Sequence, residues 1–288
     1  MIENIVKKLA LAGIGWIAAA TLGSALAADL TPAPAYKAPV TAVAPVATWN
    51  GFYIGGNVGY GWDTGNTSLS AVSTDPVLAP ALAAILAAGS YPASLSTSAK
   101  GVIGGGQAGY NWQMSQWLFG LETDIQASGI KGSASQTLFP VGFDSTSTGV
   151  SKSIDWFGTV RGRIGLLPTQ QLLLYVTGGL AYGQTKTSFN TTDVPFGCIA
   201  NATICANGAS SSVRAGWTVG AGAEAMLAPN WSVKAEYLYI DLGNRSLNVP
   251  ASTVPAIVFT TSTSFHEQIA RVGLNYHFNW AGPVVAKY

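Results

Sequence analysis

Residues 49–62 read WNGFYIGGNVGYGW, and within this segment apolar residues alternate with small or polar ones. A period of two over about 11 residues is the length of one membrane-crossing β-strand. Phe52 and Trp62, at the two ends of the apolar face, match the aromatic residues found at both membrane interfaces of such strands. A half-buried strand of a soluble protein also alternates, so the interpretation depends on whether the pattern repeats.

The alternation recurs in seven further segments between residues 102 and 278. Tight turns on one side and long loops on the other are typical of outer-membrane barrels, whose tight turns face the periplasm. We therefore predict an eight-stranded antiparallel transmembrane up-and-down β-barrel, all-β, with extracellular loops and both termini periplasmic. Short turns are predicted near residues 115, 169 and 229, and long polar loops over 63–100, 131–152, 185–212 and 243–264.

Only 9% of the residues are Asp, Glu, Lys or Arg, whereas ordinary soluble domains contain about 25%. So few charges make a water-covered surface difficult to build. No long apolar run follows residue 28, so helical membrane spans are not expected. The formal net charge of +1 gives no indication of nucleic-acid binding.

Residues 1–27 are predicted to be a secretory signal peptide. Lys7 and Lys8 provide the positive charge, residues 9–20 form a short apolar core, and Ala25-Leu26-Ala27 is an A-x-A cleavage site. An uncleaved membrane anchor is the alternative interpretation, which the shortness of the apolar core disfavours.

Three further segments are predicted after the signal peptide. Residues 28–48 are a Pro- and Ala-rich periplasmic lead-in, because such a segment cannot pair in a sheet. Residues 49–278 form the barrel, and residues 279–288 are a C-terminal tail. The sequence leaves open whether cleavage occurs before Ala28 or before Asp29.

The charged residues of the strands provide an independent test of the register. A slip by one residue would turn Arg161 and Arg163 toward lipid, where an arginine costs about 2–4 kcal/mol near the midplane. On the opposite, lipid-facing side of this fourth strand we expect Ile154, Trp156, Val160, Ile164 and Leu166. All ten charges lie on the polar face of their strands: Glu122, Asp124, Arg161, Arg163, Arg214, Glu224, Lys234, Glu236, Glu267 and Arg271.

These ten charges are predicted to face the lumen. Five are basic and five acidic, and an eight-stranded barrel is just wide enough for side chains to fill its interior. If the sixth and seventh strands pair about Pro229, Glu224 faces Lys234 directly. We expect an ion-pair network that plugs the lumen; the alternative is that the same charges line a narrow, water-filled pore.

Cys198 and Cys205 lie in the third long loop and are the only cysteines of the chain. Export to an oxidising compartment favours a disulfide between them, and two free thiols are the alternative. Residues 77–89 of the first loop are unusually apolar and could form a short helix ending at Gly89. This helix would either contact lipid or a partner, or pack over the barrel mouth.

The sequence offers little for catalysis. His266 is near Ser264, but no third orienting group is apparent, so we expect no enzymatic activity. Residues 104–109 match G-x-G-x-x-G, but they lie within a strand and no helix follows, which argues against a nucleotide site. No cofactor and no metal site is predicted.

Three segments resemble the small porin-family "outer membrane immunogenic protein" barrels, a family related in form to OmpA and OmpX. Residues 49–62 resemble the first strand of that family, residues 173–183 its fifth, and residues 233–243 its seventh. The resemblance implies an abundant surface antigen with an envelope-structural role, and pore activity is often assigned to the family by name. It also implies an assembly signal, read by the barrel-assembly machinery, at Gly273, Tyr276 and Phe278, although the chain continues for ten residues beyond Phe278.

The sequence therefore predicts a non-enzymatic outer-membrane barrel that supports the envelope and displays its loops outside. A narrow porin for ions or very small solutes is the first alternative, and a loop-based receptor or adhesin is the second. The expected partners are outer-membrane lipids, including lipopolysaccharide, and the assembly machinery, with no nucleic acid. The sequence leaves the oligomeric state open.

Overall fold

The computed structural model describes residues 48–63 and 65–278. The predicted signal peptide, the lead-in up to residue 47 and the tail 279–288 lie outside the described residues. The elements in chain order are β1 (Gly51–Asp63), β2 (Asn66–Ser73), α1 (Ala79–Ala87), β3 (Ser94–Ser96), β4 (Lys100–Met114), β5 (Trp117–Leu138), β6 (Thr146–Thr169), β7 (Leu172–Asp193), β8 (Ala206–Ala228), β9 (Trp231–Pro250) and β10 (Ile257–His277).

The described strands close into a ring. β1 and β4 through β10 each pair antiparallel with their neighbours, and β1 pairs with both β4 and β10. The predicted eight-stranded up-and-down barrel is confirmed. No helix of the described residues is long and apolar enough to cross a membrane.

The closing seam is shared between two strands. β1 pairs with β10 from Tyr53↔His277 as far as Asp63↔Glu267. Beyond this point β2 continues the pairing with β10, and β3 pairs with β2. The segment between β1 and β4 therefore extends the barrel wall outward.

The predicted lipid faces are exposed along the strands, with one exception. Phe52, Ile54 and Val58 of β1 point outward, while Tyr53 is buried inside. Ile154 was expected outside but is buried inside, because the β6–β7 register shifts between Ile154 and Trp156. A β-bulge inserts one residue and so reverses which face the following side chains occupy.

The predicted long loops are much shorter than expected. β5 continues to Leu138 and β6 begins at Thr146, and similar extensions lengthen β7 through β10. The prediction was wrong here because Ser- and Thr-rich segments were read as polar loops. These residues instead form strands, in which serines such as Ser188 and Ser262 face outward and threonines such as Thr187 and Thr261 are buried inside. Threonine favours the pleated conformation.

α1 packs over the outer end of the barrel. The helix ends before Gly89, whose positive φ of 77° is the left-handed conformation that glycine adopts readily. Leu82 is buried in an apolar cluster that also contains Tyr91, Val249 and Phe259. Of the two expectations for this apolar segment, the structure shows packing over the mouth.

Candidate functional site

Eight charged side chains meet inside the barrel. They come from β5, β6, β8, β9 and β10, and the alternation of each strand turns them inward. Four are positive and four are negative, so the charges balance. This set, called the lumen cluster below, consists of Glu122, Asp124, Arg161, Arg163, Glu224, Lys234, Glu236 and Arg271.

Arg161 lies at the centre of the lumen cluster. It forms an ion pair with Glu122, and its guanidinium donates to Asp124 Oδ2 at 3.0 Å and to Glu236 Oε1 at 3.0 Å. Arg271 donates to Glu236 Oε2 at 2.8 Å and to Asp124 Oδ2 at 3.0 Å. Because the two arginines share carboxylates from β5 and β9, these contacts connect four strands across the lumen.

The remaining charges lie closer to the periplasmic turns. Lys234 Nζ donates to both carboxylate oxygens of Glu122 at 2.9 Å. Arg163 Nη1 donates to Glu224 Oε2 at 3.1 Å. The predicted Glu224↔Lys234 register is confirmed. The closest opposite charge of Glu224 is nevertheless Arg163 of β6, and that of Lys234 is Glu122 of β5.

Neutral side chains add hydrogen bonds to the lumen cluster. The Tyr53 hydroxyl donates to Glu122 at 2.6 Å, and the Tyr175 hydroxyl donates to Glu236 at 3.0 Å. Sequence reasoning missed these partners, although they have the same inward parity as the charges. The other neutral partners are Asn111, Thr159, Ser232 and Asn275.

Burial makes the charges of the lumen cluster depend on one another. Every charged side chain of the lumen cluster is at most 2% exposed. Taking a charge out of water is costly unless opposite charges and hydrogen bonds surround it. The loss of one member therefore leaves its partners buried with fewer opposite charges around them.

Apolar side chains cover the lumen cluster on both sides. At the periplasmic end, Trp49 and Leu118 belong to an apolar cluster, and the Trp49 indole donates to the Gln170 carbonyl oxygen at 3.0 Å. On the outer side lies a second cluster of buried apolar side chains. It contains Ile103, Ile130, Ile154, Phe157, Leu238, Ile240, Leu242, Phe265 and Ile269.

Two of the ten predicted charges lie outside the lumen cluster. Arg214 donates to the Leu242 carbonyl oxygen at 3.0 Å. Glu267 lies opposite Asp63 in the β1–β10 register. Asp63 pairs with the buried Lys152, which also acts electrostatically on Glu267. The prediction missed Lys152 because its segment was read as a loop. Lys152 lies two residues before the buried Ile154 in β6, so the alternation on that side of the bulge turns it inward.

Covalent and hydrogen bonds hold the outer connections together. Cys198 and Cys205 form the predicted disulfide, with a Cα–Cα distance of 5.7 Å. The Val194 amide donates to the Ser145 carbonyl oxygen at 2.9 Å, and the Ser252 amide donates to the Cys205 carbonyl oxygen at 2.7 Å. Three neighbouring loops therefore brace each other above the wall.

The residues of the predicted assembly signal lie at the end of β10. Tyr276 points outward and makes an edge contact with the ring of Phe278 at 5.1 Å. The Phe278 amide donates to the Phe52 carbonyl oxygen at 2.8 Å, which ties the chain end to β1. Gly273 lies opposite Asn57 in the same seam. Their part in assembly stays a prediction.

The described residues form a closed antiparallel barrel with apolar residues outside and balanced charges inside. A model described as an outer membrane protein beta-barrel domain matches residues 18–278. The chain belongs to this family. It is an integral protein of the Gram-negative outer membrane.

Relatives of this family cover most of the chain. The 31 kDa outer-membrane immunogenic protein of Brucella melitensis biotype 1 is 36% identical over 91% of this chain and 97% of its own length. The 22 kDa outer membrane protein of Rhizobium leguminosarum bv. viciae is 29% identical over 85% and 83%. Among solved structures, the outer membrane protein OprG from Pseudomonas aeruginosa is 11% identical, over 80% of this chain and 97% of its own, with a TM-score of 0.42.

Proposed function

We propose that this protein is a sealed structural barrel, without enzymatic activity, that supports the outer membrane and displays its outer half on the cell surface. The observation that carries the proposal is the filling of the lumen in successive layers. The lumen cluster lies between the apolar cluster around Trp49 and the apolar cluster around Phe157 and Phe265. A sealed barrel contributes to the envelope without weakening its permeability barrier.

The layers oppose ion passage for two different reasons. Within the lumen cluster, the guanidinium groups of Arg161 and Arg271 are occupied by three carboxylates, so they offer no free charge to a passing ion. In the layer around Phe157, an entering ion would meet the apolar side chains of this cluster. An ion there loses its hydration without gaining a partner.

Planar-bilayer recordings on the refolded full chain test this proposal. We expect no large, stable openings, with an open porin as the positive control for the bilayer. The variant F157G/F265G removes the two rings of the outer apolar layer and keeps all lumen charges, so we expect conductance to rise in the variant alone. Large, stable openings of the unchanged protein would instead support the narrow-pore alternative.

A second candidate function is supported by the tips of the outer loops. Phe139, Val141, Phe196 and Ile199 are large apolar side chains at least 49% exposed, and both loops lie on the outer side. Exposed apolar groups of this kind mark interaction surfaces. This surface supports a receptor or adhesin role.

Cell adhesion tests this second role. Serine substitutions at Phe139, Val141, Phe196 and Ile199 change side chains that contribute little to the barrel interior. We expect folded, surface-displayed protein that no longer promotes adhesion of the expressing cells. Adhesion equal to that of the unchanged protein would contradict a receptor role for these loop tips, and the structural role would stand.

A further inference from the structure

A row of side chains crosses five strands on the outer surface of the barrel. In the strand register, Lys100 of β4 faces Lys131 of β5, and Lys131 faces Ser153 of β6. Ser153 faces Lys186 of β7, and Lys186 faces Ser211 of β8. All five lie on the outward parity of their strands, and this set is called the lysine row below.

The positive charge of the lysine row is only partly compensated. Lys186 Nζ pairs with Asp155 Oδ2 at 2.6 Å, and both side chains are partly exposed to solvent. Lys100 and Lys131 lie directly opposite one another, and neither forms an ion pair within residues 48–63 and 65–278. Like charges in directly opposed positions destabilise a sheet. An anion bound between them would remove this repulsion.

Hydroxyl groups surround the lysines. Ser133 faces Ser151, and Ser151 faces Ser188 in a second row, two residues farther from the periplasmic turns. The hydroxyls of Ser151 and Ser188 are 2.6 Å apart. Apart from Lys100, the residues of the two rows line a depression of about 820 Å³ on the wall, and Lys100 lies beside it, opposite Lys131. This surface combines ammonium groups with many hydroxyl donors and acceptors.

The depression begins where the apolar surface of the wall ends. The last outward apolar residues of β4, β6 and β7 are Val102, Trp156 and Tyr182, and the two aromatic rings are 6.2 Å apart. Tryptophan and tyrosine prefer the interface between hydrocarbon and headgroups. The lysine row therefore lies at the level of the lipid headgroups, on the side of the long connections, which is the cell exterior.

We propose that this depression binds the phosphorylated sugar headgroup of an outer-leaflet glycolipid, lipopolysaccharide. Lys100 and Lys131 hold one phosphate between them, and Lys186 with its neighbouring serines holds the adjoining sugar and its phosphate. The acyl chains of the same lipid lie along the apolar surface below, beside Val102 and Trp156. The site is independent of the lumen, so it does not depend on whether the barrel is sealed.

Binding of purified lipopolysaccharide to the refolded full chain in detergent tests the proposal, with the dephosphorylated glycolipid as the matched probe. The variants are K131Q and K100Q/K131Q. One cationic side chain near an anionic lipid surface contributes about fivefold in affinity. We expect about fivefold weaker binding for K131Q and about 25-fold weaker binding for K100Q/K131Q, because the two effects add in free energy.

Two controls separate this site from general charge. K131Q/S262K restores the net charge on the outward face of β10, and we expect it to bind as weakly as K131Q. Heat-dependent gel mobility confirms that each variant is folded. The proposal is overturned if K100Q/K131Q binds like the unchanged protein, if S262K restores binding, or if the dephosphorylated probe binds equally well. It is also overturned if inorganic phosphate or phosphatidylglycerol vesicles bind as tightly as lipopolysaccharide and respond equally to K100Q/K131Q.

Discussion

The membrane half and the outer half of this barrel are built from the same strands but present different side chains to their surroundings. The membrane half includes residues 231–239 of β9 and 268–277 of β10, where Val233 and Leu274 point outward and Lys234 and Arg271 point inward. The outer half includes residues 240–250 and 257–267 of the same strands. There Ser262 points outward, while the inward side chains include the wholly buried ring of Phe259 and the apolar Ile257 and Val249.

The difference in the outward faces follows from what surrounds each half. Lipid covers the membrane half, so apolar residues are favourable outside and the interior can hold charges that pair with each other. Water covers the outer half, so hydroxyl groups are favourable outside. Its interior combines the apolar cluster around Phe259 with buried polar side chains such as Thr261 and Thr263. The same alternation therefore continues from the lipid-covered half into the water-covered half. The change from aromatic to hydroxyl residues on the outward face marks the boundary between the two halves.

The largest expected effect is in the interior of the membrane half. Arg161→Ala removes one of the two arginines that Glu122, Asp124 and Glu236 share. We expect the free energy of unfolding to fall by about 3–5 kcal/mol, because one partner of a buried charge network is removed. Urea unfolding followed by tryptophan fluorescence in lipid vesicles measures it.

Arg214→Ala is the matched control for that experiment. Arg214 donates to a carbonyl oxygen and has no carboxylate partner among the described residues. We expect a loss of about 1 kcal/mol, the usual contribution of such a hydrogen bond. Equal losses in the two variants would show that the lumen cluster contributes no special cohesion.

The next largest effect is expected when an arginine is placed on the outward face of the membrane half and is compared with the same change in the outer half. Val272→Arg places a charge on the lipid face of β10. We expect a loss of about 2–4 kcal/mol in the free energy of unfolding, because Val272 lies midway along residues 268–277 of the membrane half. Ser262→Arg makes the same chemical change on the same face of the same strand in the outer half. There water solvates the guanidinium, and we expect a change within about 0.5 kcal/mol. Similar losses in the two variants would contradict the assignment of Ser262 to the outer half.

The smallest effect concerns the loops that brace the outer half. Cys198→Ser with Cys205→Ser opens a loop with a sequence separation of 7 residues. Closing so short a loop contributes at most about 2–3 kcal/mol. We expect faster proteolysis of the outer loops and unchanged protection of the membrane half, measured by limited digestion with mass spectrometry. Loss of protection in β1 through the whole barrel would show that the two halves are not separable.

Most of the fold could be predicted from the alternation of residues along the chain. Alternation in residues 49–62 and its seven repeats was sufficient to predict the barrel, and Arg161 and Arg163 determined its register. It was not sufficient at Ile154, where a bulge reversed the faces. Nor did it reveal the outer half, because the same Ser and Thr residues that are common in loops also suit the solvent face of a strand.

The sequence alone was enough to establish which residues face lipid in the membrane half, because a charge turned toward hydrocarbon is so costly that only one register is acceptable. The partners inside the barrel depended on the tertiary structure. Glu224 and Lys234 are opposite each other in register, yet Glu224 pairs with Arg163 and Lys234 with Glu122. Long side chains cross the lumen to strands that are distant in sequence, and only the closed barrel determines which opposite charges come within reach.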